Sequence, residues 1–148
     1  MLRAIAVDYG TKRIGVAGCD PLGISVKPLP LVPARPEEAA LAALANVLRE
    51  REAEVVVLGL PLNMDDTEGP AAKAVRGFGE RLAAALPAGV EIAYWDERLT
   101  TDDAEKRLIE KGLSHRERKQ VIDSLSAAIL LKSWLDARVG GSAAASDG

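Results

Sequence analysis

Ile5-Ala6-Val7-Asp8-Tyr9-Gly10-Thr11-Lys12-Arg13-Ile14-Gly15-Val16 is an apolar run that ends in a carboxylate, turns through Gly10 to Arg13, and enters a second apolar run. Read as two strands, it is a hairpin whose turn carries an acid, a hydroxyl and two cations. Gly10 can take backbone angles closed to other residues, and lets a bulky group approach the chain closely. Asp8 then lies at a strand end beside a glycine, with Thr11, Lys12 and Arg13 next in sequence. That setting suits a divalent cation held next to a phosphate. The competing explanation is a solvated hairpin whose first strand ends in an acid.

The 148 residues fit one domain with a core large enough to fold alone. With 48% hydrophobic and 28% charged residues, the composition is that of an ordinary soluble globular chain. Aromatic residues at 3% argue against a platform of rings for base stacking, and a net charge of −3 against a uniformly basic nucleic-acid coat. A local basic patch around an acidic site remains compatible with both. Cys19 has no second cysteine to pair with, and one cysteine with one histidine makes no zinc-type cluster. No apolar run approaches the ~20 residues that cross a membrane, and the N-terminus lacks a signal-peptide pattern. The expected location is the cytoplasm, with no membrane partner.

Outward from the hairpin, strands are expected over 3–9 and 13–19. A third, shorter strand follows over 24–30, interrupted by prolines, with Pro33 and Pro36 in a linker. Pro36-Glu37-Glu38 opens a helix to about Glu52, with Leu41, Leu44, Val47 and Leu48 on one face. Glu54 to Leu60 contains an unbroken apolar run, the signature of a strand buried on both faces of a parallel sheet. A polar loop from Pro61 to Pro70 leads into a helix ending near Leu86. Gly89 to Trp95 is the fifth strand and delivers Asp96-Glu97-Arg98 at its carboxyl end. Capping pairs at Thr100/Asp103 and Ser114/Glu117 open two last helices, the first stopping at Gly112 and the second near Ala137.

A meander followed by helix-crossover strands gives an α/β fold, a mixed five-stranded sheet flanked by helices. This is the ribonuclease H-like pattern. One domain is expected over 1–138, followed by a small-residue, disordered tail over 139–148.

Acids fall where such a sheet builds sites: Asp8 after strand one, Asp96-Glu97 after strand five, and Asp123 in the last helix. Asp123 lies close to the apolar stripe of Val121, Ile122, Leu125, Ala128 and Ile129. A carboxylate there is costly unless it is paired or holds a metal, and a pair with Lys119 is the plainer alternative. Asp96 and Glu97 are neighbours and point to opposite faces, which leaves open the one that turns to the site. The 61–69 loop, with Asn63, Asp65, Asp66 and Glu68, is a secondary candidate for substrate contact. Arg116, Arg118 and Lys119 form a basic run leading into the Asp123 helix, which suits contact with a phosphate backbone.

Asp8-Tyr9-Gly10-Thr11-Lys12-Arg13-Ile14-Gly15-Val16, Gly59-Leu60-Pro61-Leu62-Asn63-Met64, Asp96-Glu97-Arg98-Leu99-Thr100-Thr101 and the Asp123 helix together resemble the YqgF (RuvX) family. These are bacterial proteins described as Holliday junction resolvases and as pre-16S rRNA nucleases. The resemblance runs from residue 2 to about 137. It implies a ribonuclease H-like nuclease that cuts phosphodiester bonds with Mg²⁺ or Mn²⁺, with Asp8, Glu97 and Asp123 as catalytic and metal-ligating triad. Thr11, Lys12, Arg13, Asn63, Arg98, Arg116, Arg118 and Lys119 would contact nucleic acid. Two departures stand out: Asp66 replaces the family's usual glycine after Met-Asp, and the 54–60 strand ends without the carboxylate that better-known junction resolvases of this fold carry.

Two other kinds of protein share parts of this pattern. Actin–hexokinase ATPases also begin with Asp-x-Gly-Thr, but need a second domain to close over the nucleotide. A non-catalytic module would recognise branched nucleic acid or a ribosomal precursor through the same basic surface. Whether the substrate is a four-way DNA junction or precursor rRNA is open, since scarce aromatics favour backbone and shape recognition in either. Paired incisions in a junction call for a two-fold homodimer, whereas trimming an RNA end does not.

Overall fold

A computed structural model describes residues 3–99, 114, 116 and 124–140. Strands β1 (Ala4–Tyr9), β2 (Arg13–Cys19) and β3 (Val26–Pro33) precede α1 (Glu37–Glu50), β4 (Val55–Leu60), α2 (Pro70–Ala85) and β5 (Glu91–Asp96). A 3₁₀ turn, Glu97–Leu99, leaves β5, and the last described helix, α3, is Leu125–Gly140. The sheet order is β3-β2-β1-β4-β5. β1, β4 and β5 run parallel, while β2 pairs antiparallel with β1 and β3. This is the mixed sheet that the element order predicts.

β4 is buried at all six positions because helices cover both faces of the sheet. Alternation along the strands divides the core in two. Ile5, Val7, Ile14, Val16, Val56 and Leu58 face α1 and α2, packing with Leu44, Leu48, Phe78 and Leu82. Ala4, Ala6, Ala17, Val55 and Val57 face α3, against Ala127, Ala128, Leu131 and Trp134. The small alanines on that second face let α3 lie close to the strands. None of the helices formed by described residues is long and apolar enough to cross a membrane.

The third strand differs from expectation. It spans Val26–Pro33 rather than 24–30, so Pro28, Pro30 and Pro33 all belong to it and Pro33 is not a linker residue. Its place at the sheet edge explains this, because a proline there can turn its missing donor away from the only neighbour. The register with β2 also shifts between Ile14 and Val16, opposite Pro30 and Leu31. α3 continues to Gly140, past the expected stop near Ala137, since no breaker intervenes before the Gly140-Gly141 pair. The expected helix over 100–112 and the opening of the last helix lie outside the described residues, as does 141–148.

α3 and the residue that precedes it are tied to the sheet at two points. Ser124 is fully buried, and its Oγ accepts the Val16 N–H at 3.1 Å, at the register shift of β2. Trp95 Nε1 of β5 donates to Ser133 Oγ at 3.0 Å. Ser124→Ala would leave a buried N–H without its acceptor, so it is expected to destabilise by about 2 kcal/mol in urea unfolding. A Thr replacement, which keeps the acceptor, should recover part of that loss.

Candidate active site

Asp8 occupies the last-but-one position of β1, on the alternation that places Ala4 and Ala6 against α3. Gly59 has the same place and parity in β4, after Val55 and Val57. Glu97 follows β5 directly, two residues after Trp95. All three therefore sit at the carboxyl ends of parallel strands, where sheets of this class build their sites. The ring of Tyr9 stacks on Phe78 with centroids 4.3 Å apart, holding the end of β1 from the opposite face.

Asp8 and Glu97 are hydrogen-bonded to each other, although their strands are separated by β4. The Glu97 side chain crosses that gap over Gly59: a Cβ on Gly59 would lie 2.6 Å from Glu97 Oε1 and 2.8 Å from its Cγ. Burial pushes the Glu97 carboxyl up to about 7, reinforced by the charge of Asp8 and the bond to it. Burial also raises Asp8, whereas its bond with Glu97 works the other way. Glu97 thus keeps the proton and donates it to the Asp8 carboxylate. Two half-buried acids sharing one proton offer oxygens of the kind a hard cation takes.

Asp96, the neighbour left open by spacing, faces away to Arg98. Its oxygens take the Arg98 backbone N–H at 2.9 Å and the guanidinium at 2.8–3.1 Å, which lowers its pKa. Arg98 reaches further, to the Asn63 carbonyl at 2.9 Å and to Asp66 at 2.6 Å. Asp66 has φ 69°, the left-handed region that glycine favours. Asp66 is held in this conformation by its ion pair with Arg98. Asn63 Nδ2 donates to Thr67 Oγ1 at 2.9 Å, closing the loop on itself. Arg98 and Asn63, expected to meet nucleic acid, direct these groups to the loop.

Thr11 and Lys12, on the turn that follows β1, and Arg13, the first residue of β2, are exposed at the same end of the sheet as Asp8. A Cβ on Gly10 would lie 2.3 Å from the Arg13 carbonyl oxygen, so the turn needs its glycine. Arg116 is exposed. Asp123, Arg118 and Lys119 lie outside the described residues. Among the described residues no three His, Cys, Asp or Glu side chains form a group fit to hold a metal; Asp8 and Glu97 are the described pair. Gly59 and Ser124 are the positions that sequence reasoning gave no role. A glycine inside an otherwise apolar strand was the available signal for the first, and a serine beside Asp123 in an apolar stripe for the second.

The raised Glu97 value gives a pH prediction for the metal-free protein. Between the ordinary 4.5 and about 7, the folded state binds a proton that the unfolded chain releases. That contribution is complete at low pH and is lost as pH climbs through 7. Stability is expected to fall by about 2 kcal/mol from pH 5 to pH 8, a figure discounted for the solvent reaching this half-buried pair. Mg²⁺ or Mn²⁺ should restore more of it at pH 8 than at pH 5, which urea unfolding at both values would show.

The mixed sheet, with two acids paired at its carboxyl edge, has the ribonuclease H-like fold. The chain belongs to the RuvX family, described as Holliday junction resolvase, whose model matches residues 2–137. A protein of Myxococcus xanthus named "Putative pre-16S rRNA nuclease" is 47% identical over 136 residues, 92% of this chain and 89% of that one. A namesake from Anaeromyxobacter dehalogenans is 46% identical over 137 residues, 93% and 98% of the two. Among solved structures, Thermus thermophilus RuvC in complex with Holliday junction substrate is similar in fold, with TM-score 0.60, 21% identity and coverage of 95% and 97%. The fowlpox virus Holliday junction resolvase matches with TM-score 0.58, 13% identity and coverage of 92% and 99%.

Proposed function

We propose that this protein hydrolyses phosphodiester bonds of precursor 16S rRNA with Mg²⁺ or Mn²⁺. The observation that carries the chemistry is the Asp8–Glu97 pair, brought together across Gly59 and sharing a proton. Oxygen ligands with raised carboxyl pKa values suit these hard ions. Asp8 and Glu97 would hold the ion, with Asp123 as third ligand on the family's pattern. The chemistry such an ion would supply there is activation of a water for in-line attack and neutralisation of charge on the leaving oxygen. To hold it, Asp8 and Glu97 would have to give up the proton they share. Thr11, Lys12 and Arg13 hold the phosphate backbone beside the pair, and Arg116, Arg118 and Lys119 extend that hold. Arg98 and Asn63 act on the same substrate through the loop they fix.

Relatives at 46–47% identity carry the name for precursor 16S rRNA, and this favours RNA as substrate. Four-way junction DNA is the second reading, supported by the description of the family model. In that case the working unit is a homodimer. The cytoplasm is the compartment that fits either substrate.

Cleavage of a precursor 16S rRNA fragment and a four-way DNA junction, side by side with Mg²⁺, Mn²⁺ or chelator, tests this. Cutting of the RNA that stops with chelator is the expected result. Paired symmetric nicks in the junction alone would move the assignment to a resolvase. Binding without cutting under any metal would overturn the enzyme and leave a nucleic-acid-binding module.

A further inference from the structure

Met64 is 94% exposed, the most exposed of the large apolar side chains among the described residues. Its surroundings are not loose. The 61–69 loop is a miniature hairpin, bridged between Leu62 and Glu68 and closed by Asn63 N–H to the Thr67 carbonyl and Asp66 N–H to the Asn63 carbonyl. Asp65 accepts from both the backbone and the hydroxyl of Thr67. Glu68 is pinned by Arg76 at 2.7 Å. Arg98, next in sequence to Glu97, donates to the carbonyls of Asn63 and Met64 at 2.9 and 3.5 Å. A rigid platform tied to the neighbour of Glu97 therefore holds one apolar side chain out into solvent.

We infer that Met64 is a wedge that seats against a base face of the bound nucleic acid beside the cleaved bond. This rests on the nuclease reading of the site. The chemistry of the loop favours bases over phosphates. Residues 61–69 include no lysine or arginine, and they carry Asp65, Asp66 and Glu68. Phosphates would be repelled from such a tip, whereas an unbranched thioether meets any base face without a hydrogen-bond requirement. Apolar side chains of this kind enter between base steps and unstack them. The bonds that fix the loop come from its own residues and from Arg76 and Arg98, so the platform under Met64 is ordered before substrate arrives and little freedom is lost on contact. Asp66 belongs to the same device: its ion pair with Arg98 holds the left-handed residue that shapes the tip.

The test uses full-length protein carrying Asp8→Asn, so that nothing is cut. It is mixed with a precursor 16S rRNA fragment and a four-way DNA junction, each labelled with 2-aminopurine at successive positions around the cleavage point. Binding is expected to raise fluorescence at one position through unstacking. Adding Met64→Ala should remove that rise and weaken binding about tenfold, the order expected for loss of one base contact. Met64→Leu should retain both. An unchanged rise in the alanine variant overturns the wedge while leaving the nuclease reading intact. Failure of the parent to bind either nucleic acid overturns both. Loss of self-association in the alanine variant, seen by sedimentation with fluorescence unchanged, would assign Met64 to a protein interface instead.

Discussion

Asp8→Asn is expected to lower cleavage by about 10³-fold or more while leaving the protein folded, because it removes the charge proposed to hold the ion and little else. The amide has the shape of the carboxylate and still accepts a hydrogen bond from Glu97, but it offers a hard cation a much weaker oxygen. The sign of the stability effect separates this from a structural role. In the metal-free protein above pH 7, Asp8 and Glu97 are two half-buried charges facing each other, and the charge of Asp8 is one reason Glu97 is pushed up to about 7. Removing that charge lets Glu97 fall back toward 4.5, with burial still holding it above. The variant should therefore be more resistant to urea than the parent at pH 8 without metal, and show little difference at pH 5. Affinity for nucleic acid should be kept or increased, since a negative charge has gone from where a phosphate approaches. Single-turnover cleavage, unfolding at the two pH values and a binding titration read the three effects. Undiminished cleavage would remove Asp8 from the site; equal losses of activity and stability at both pH values would make it a structural residue.

How much of this arrangement is visible in the sequence depends on whether it is decided locally. The place of β4 inside a parallel sheet is legible because Val55–Leu60 is apolar without alternation, as suits a strand covered on both faces. The prolines of β3 mislead, because their tolerance depends on an edge position that the whole topology sets. Asp8 is legible as an acid at a strand end next to a glycine turn. The choice between Asp96 and Glu97 is not, since it follows from the 3₁₀ turn after β5 and from a gap over a different strand, 38 positions away in sequence. Arg98, Asn63 and Asp66 show the same limit. Their pairing joins the loop after β4 to the turn after β5, and no local pattern announces which cation a loop acid will meet. Asp123 is legible as an acid close to an apolar stripe, and its part as third ligand is a proposal from that pattern and the family's.

Gly59→Ala is the sharper test, because it changes no acid and no charge. Its new methyl group would meet Glu97 Oε1 at 2.6 Å and Cγ at 2.8 Å, distances that real contacts do not show. What must give is the end of a flexible side chain, so the strand stays and Glu97 leaves its place over β4. The fold loses little: alanine in a strand is favoured over glycine by about 0.5–1 kcal/mol, which offsets much of the broken hydrogen bond to Asp8. Stability at pH 5 is expected to change by less than about 1 kcal/mol. Cleavage should fall about 100-fold, the order of loss when a group is misplaced by about 1 Å. A separate readout follows from the proton. With Glu97 out of contact with Asp8, the fall in metal-free stability between pH 5 and pH 8 should flatten, and Mg²⁺ or Mn²⁺ should stabilise the variant less. Loss of activity with the parent's pH slope intact would mean that Glu97 has kept its place and the methyl group obstructs substrate instead. Full activity with a flattened slope would show that Glu97 is dispensable to hydrolysis, leaving Asp8 to act with ligands other than this one.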